Sequence, residues 1–187
     1  MKNVQSATFG LKTGAGLDAK AAAPIGGIGL KSSYHFECFG ADGKLKWEET
    51  AENLVVNVGL NDVLSQYFKG SSYTAGFFVG LKDTGTIADS DTMASHSGWT
   101  EDTTYSNATR PAFTPGSVSG QSVDNSGSKA VFNINGSSTI YGAFMTTSST
   151  KGGTTGVLYG AVDFGAQRSV ESGDTLNVTV TATASAA

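Results

Sequence analysis

Hydrophobic positions in this chain alternate far more often than they recur at helical spacing. Tyr34, Phe36 and Cys38 fall on one side of a short run, and His35, Glu37 and Phe39 on the other. Asp42-Gly43 is a turn pair and Lys44–Glu48 alternates back, which predicts a hairpin. Leu54-Val-Val56 reads as a short strand and Ala75–Leu81 as a buried one. Further on, Ala130, Phe132 and Ile134 share a face. Thr139–Thr147 and Val157–Phe164 are longer apolar stretches joined by the glycine-rich Ser148–Thr155. Leu176, Val178 and Val180 alternate with Asn177, Thr179 and Thr181, the pattern of a strand with one wet face.

One segment keeps a helical period. Leu60, Val63, Leu64, Tyr67 and Phe68 form a single apolar face, with Asn57 as the expected N-cap and Gly70 as the stop. Such a helix is expected to plug one side of a β core. Residues 87–98 read as a loop in which Ser90 or Asp91 caps one helical turn, with Trp99 anchoring the loop on the body. Short strands, repeated turns and one short helix predict a mainly β protein. The expected architecture is a β-sandwich, jelly-roll-like or immunoglobulin-like, over residues 34–187.

Residues 1–33 have no sustained period and are rich in Gly, Ala and Lys, so they read as an extended N-terminal arm. Ordering such a backbone costs on the order of 1–2 kcal/mol per residue. An arm that buries so little of its own surface must be held from outside. Neighbouring chains are the first candidate, and the arm folded back on its own body is the other. Lys2, Lys12, Lys20, Ile25, Ile28, Leu30 and Lys31 are the candidate contacts.

Composition agrees with the β reading. Of 187 residues only 15% are charged, against about 25% in average proteins. The net charge of -4 excludes a generally basic nucleic-acid binder. Its distribution is uneven: six lysines against three acids before Trp47 leave +3 there and −7 beyond. No run approaches the ~20 apolar residues of a membrane span. No apolar stretch follows Lys2 as in a secretory signal, so assembly in a cytoplasm is expected.

Signs of catalysis are missing from the pattern. His35 and His96 belong to no HExxH and are not at metal-ligand spacing with Cys38, the single cysteine. Lys151-Gly-Gly-Thr-Thr lacks the phosphate-loop pattern. Asp83, Asp89, Asp91, Glu101 and Asp102 form a loose acidic group that could offer oxygens to calcium, without the EF-hand pattern. A solvated acidic loop is the simpler reading. No catalytic, cofactor or metal residues are assigned.

Several strings carry a resemblance. They are Asn53-Leu-Val-Val-Asn-Val-Gly-Leu-Asn-Asp-Val-Leu64, Asp91-Thr-Met-Ala-Ser-His-Ser-Gly-Trp-Thr-Glu101, Tyr105-Ser-Asn-Ala-Thr-Arg-Pro111, Thr150-Lys-Gly-Gly-Thr-Thr-Gly-Val-Leu-Tyr159 and Gly173-Asp-Thr-Leu-Asn-Val178. Together they resemble small virion structural proteins of tailed bacteriophages, most of all capsid decoration (cement) proteins. The resemblance spans roughly Asn53 to Thr181 and leaves out the arm. It implies a non-enzymatic particle component on the capsid surface, often trimeric, whose partner is the major capsid protein. It leaves open a tail, baseplate or head–tail junction component. A receptor- or carbohydrate-binding module, expected to expose aromatics near Trp99 and Tyr105, is the remaining alternative.

Overall fold

The computed structural model describes residues 28–70 and 76–186. They build a β-sandwich of two antiparallel sheets with one helix. The first sheet contains β1 (Ile28–Phe39), β2 (Leu45–Glu52), β7 (Ser122–Asp124), β8 (Ala130–Asn133) and β11 (Thr175–Ala186). Its order is β2-β1-β11-β7, with β8 also pairing β11. The second contains β3 (Leu54–Val55), β4 (Phe77–Gly85), β5 (Trp99–Asp102), β6 (Ala112–Phe113), β9 (Ser138–Thr146) and β10 (Leu158–Val170). It runs β3-β10-β9-β4-β5, with β6 also on β4. The helix α1 (Asn57–Phe68) connects β3 to the segment before β4.

The two sheets bury their strands differently, and the sequence pattern follows. In the first sheet, Tyr34, Phe36 and Cys38 of β1 and Leu176, Val178 and Val180 of β11 point inward and are fully buried. Their alternation is clean because the opposite face meets water. In the second sheet, Val79 and Leu81 of β4, Ile140 and Met145 of β9, and Val162 of β10 face this same core. Its other face is covered too. Phe144, Leu158 and Ala161 pack there with Val56, Met93 and Trp99. Burial on both faces is why these strands read as continuous apolar stretches.

The cover over that outer face is the loop 87–98. Its expected helical turn is absent. Asp91 instead accepts hydrogen bonds from Ala88 N (2.9 Å) and Trp99 Nε1 (2.9 Å), and Thr92 bridges to Ser95. The carboxylate thereby ties both ends of the loop to the indole, and Trp99, 3% exposed, anchors it as expected. His96 stacks on the indole with ring centroids 4.0 Å apart.

The first hairpin forms as expected, turning at Gly43 with φ +76. A bulge in β10 places residues 164–167 opposite a single residue of β9. It turns Phe164 into edge contact with Phe36, centroids 4.5 Å apart, and beside Trp47. Trp47 Nε1 donates to Ser169 O (3.0 Å), joining the two sheets at that edge.

Three further expectations change. β1 begins at Ile28, so the body starts six residues before the boundary at 34. The reason is that β11 continues to Ala186 and pairs with it throughout, Ile28 opposite Ala186 and Leu30 opposite Ala184. Asn57 is not the N-cap of α1. Val56 holds that position in extended backbone without a side-chain cap. The Asn57 N–H donates instead to Asp89 O (2.9 Å), a tertiary bond in place of a local one. Finally, α1 covers the core only in part: of its apolar face Val63 packs against the core, while Leu60, Leu64, Tyr67 and Phe68 are exposed. Gly59 is its only buried residue. The helix rests on β10 through that glycine, where a Cβ would lie 2.2 Å from Tyr159 O.

Gly59→Ala should therefore lift the first turn of α1 from β10. We expect a loss of about 1–3 kcal/mol in denaturant unfolding, the usual range for overpacking. Hydrogen exchange should show α1 amides losing protection before those of β1 and β11.

Candidate functional site

The candidate chemical residues are drawn into structural work. Arg110 is fully buried. It donates through Nε (2.9 Å) and Nη2 (2.7 Å) to both oxygens of Glu101, and to the carbonyls of Ser148 (2.9 Å) and Gly153 (2.8 Å). Its guanidinium also lies over the Phe144 ring. Glu101 accepts from Gly152 N as well (2.9 Å). This one ion pair fixes the connection between β9 and β10. Lys151 of the same connection donates to the carbonyls of Tyr105 (2.8 Å) and Asn107 (2.9 Å), so it holds a loop rather than a phosphate.

The acidic group is likewise dispersed. Asp91 serves the Trp99 loop and Glu101 serves Arg110. Asp102 accepts from Thr104 N (2.8 Å) and from the Ser138 hydroxyl. Among the described residues no three His, Cys, Asp or Glu side chains come together as a metal site. Cys38 is buried, and burial, then Asp174 beside it, pushes its thiol up to about 12. His35 sits on β1 with Nδ1 2.9 Å from the Thr50 hydroxyl. Trp99 and Tyr105, the aromatics on which a glycan platform would rest, are 3% and 1% exposed. They offer no stacking surface.

Of the candidate contacts, Lys2, Lys12, Lys20 and Ile25 lie outside the described residues, as does most of the extended arm. Ile28, Leu30 and Lys31 fall in β1. Leu30 is half-buried and Lys31 exposed.

Leu30 leads to the feature that sequence reasoning missed. Among the described residues, five of the eight large hydrophobic side chains that are exposed gather at the same end of the sandwich: Leu60, Leu64, Tyr67 and Phe68 of α1, and Val118. Tyr67 is 81% exposed and Phe68 67%. Three hollows of about 370, 310 and 230 Å³ run together there. Val63, Tyr159 and Leu30 are each shared between two of them, which makes one continuous groove. Its floor is the sandwich interior itself, with Phe77, Phe113 and Met145 on one side and Ala182 on the other. Gln66 lines it as well, and its Oε1 is buried without a hydrogen-bond partner among the described residues.

The groove lies where small residues meet across the two sheets. The inward positions Ala182 and Ala184 of β11 fill little space, and with Leu30 of β1 they share a hollow with Tyr159 of β10. Contiguous apolar surface of this kind is characteristic of sites that bind proteins, membranes or ligands. The signal in the sequence was the apolar helix face; its direction was not encoded there.

No family model, curated protein or solved structure matches this chain.

Two outcomes follow from the buried polar groups. Glu101→Gln would leave the Arg110 guanidinium buried without a countercharge, and we expect a loss of about 3–5 kcal/mol in thermal or denaturant unfolding. Burial also raises Tyr34, Tyr105 and Tyr159 above the ordinary tyrosine value of 10.0. The unfolded chain then loses those protons first as pH rises. Stability contributed below pH 10 should fall above it, by up to about 1.4 kcal/mol per pH unit for the fully buried Tyr34. Urea midpoints at pH 8, 10 and 11 check this; a flat profile would contradict it.

Proposed function

We propose that this chain is a non-enzymatic structural protein of a bacteriophage particle, which decorates and stabilises the capsid by binding major capsid protein subunits. The observation that carries the assembly role is the apolar end of the sandwich. Leu64, Tyr67 and Phe68 stand in water beside an open apolar groove, while the buried charged groups are spent on holding loops. Chemistry on a small substrate needs converging polar groups in a cleft. This groove offers almost none. Packing against another protein needs apolar relief, and the groove supplies it.

The particle setting rests on the sequence strings given above, and the capsid surface is the place those strings favour. A tail, baseplate or neck ring is the other place in the same particle. Copy number separates them, because hundreds of copies fit a capsid lattice and six or twelve fit a ring. A homotrimer is the oligomer this reading favours.

The test is binding of the full chain to shells of the major capsid protein. Each apolar side chain buried on a partner contributes about 1.5–3 kcal/mol. The double variant Leu64→Asp with Phe68→Asp should therefore bind at least about a hundredfold more weakly. Both residues are more than half exposed, so thermal unfolding should stay close to that of the parent. Unchanged binding by a stably folded variant would sink the proposal.

A further inference from the structure

We propose that the groove between α1 and the open end of the sandwich is occupied by this chain's own N-terminal segment, residues 1–27. The inference requires neither the particle nor the capsid partner. It concerns what covers the apolar end in the free protein.

Four observations point to this occupant. The first is position. Residues 1–27 join the body at Ile28, and Leu30, two residues on, already lines two of the three hollows. A segment tethered at the rim is present at millimolar effective concentration, well ahead of any free partner. The second is length. About 12 extended residues cover about 40 Å, the width of a domain this size. Twenty-seven residues are more than enough to cross the groove. The third is chemistry. Leu11, Leu17 and Ile25 are spaced among small residues, Ala21, Ala22 and Ala23 among them, and the groove offers shallow apolar hollows over Ala182 and Ala184. The backbone N–H groups of an inserted segment would also supply a donor for the unpartnered Oε1 of Gln66. The fourth is charge. Residues 1–27 hold three lysines against Asp18, a net +2, which leaves −6 for the rest of the chain. Asp62 stands at the groove wall.

The test uses the full chain with a nitroxide on Leu17→Cys. Cys38 is fully buried, so the label goes to the new thiol. Methyl resonances of Met145 and Ala182 in isotope-labelled protein report proximity. We expect both to broaden, and the broadening to persist when the doubly labelled protein is diluted tenfold into unlabelled protein. Broadening lost on dilution would mean that a second copy supplies the segment, which overturns the proposal; so would no broadening at all. A second measurement guards against an effect of the label. Leu17→Asp with Ile25→Asp should raise hydrogen exchange of α1 amides several-fold and increase binding of an apolar dye, with exchange in β1 and β11 unchanged. If α1 exchange and dye binding match those of the parent, the segment does not cover the groove. Because no shell is involved, failure here leaves the capsid-binding result standing, and failure of capsid binding leaves this one standing.

Discussion

The pairing of β1 with β11 is the constraint on which the rest of the molecule depends. Twelve residues of each strand are matched without a break, Ile28 opposite Ala186 through to Phe39 opposite Thr175. This pairing brings the beginning and the end of the described chain together. It fixes which side chains face inward, since a slip of one residue would send Tyr34, Phe36 and Cys38 to water. β2, β7 and β8 take their places on the flanks of these two strands. The same ladder also sets the shape of the open end. Its last inward positions, Leu30, Ala182 and Ala184, line the groove together with Tyr159 of β10.

The fold was largely legible because alternation is a direct record of one-sided burial. The hairpin at Gly43, the face of Ala130 and Phe132, and the wet outer face of β11 all followed from period two. The longer apolar stretches of β9 and β10 were legible as buried strands, although not for their cause. That cause is the loop 87–98, and its grip comes from Asp91 on the indole of Trp99, eight residues away. A carboxylate that binds a ring nitrogen and one that caps a helix look alike in sequence. The N-terminus of α1 misled for the same reason: Asp89 O does the work assigned to Asn57.

The candidate site was hidden for a different reason. Leu60, Val63, Leu64, Tyr67 and Phe68 define a face, and a face says nothing of what it meets. An identical pattern serves a helix pressed into a core and a helix that presents itself to a partner. Here the decision lies with Gly59. Contact through a residue without a side chain brings the first turn against β10. In the later turns Val63 still packs on the core, while Leu64, Tyr67 and Phe68 stay exposed. The acidic group and Lys151 were legible as residues and illegible as roles. Their partners are backbone groups of loops brought in by the sandwich, and nothing local announces them.

Retention of an apolar end has a cost that argues for an occupant. Four large side chains of α1 in water sacrifice burial worth several kcal/mol by the usual area relation, in a molecule whose whole stability is of the order of 5–15 kcal/mol. A core closed by its own sequence would carry bulk where Ala182 and Ala184 stand, or polar residues where Tyr67 and Phe68 stand. This chain does neither. Small residues on the floor and large ones on the rim make a socket, shaped to be completed by side chains that the two sheets do not supply. On the proposal above, a covalently attached segment with Leu11, Leu17 and Ile25 would complete it at the lowest entropic cost. On the proposed function, a capsid subunit would complete it by displacing that segment, so the affinity for the shell would be set by the difference between the two fillings.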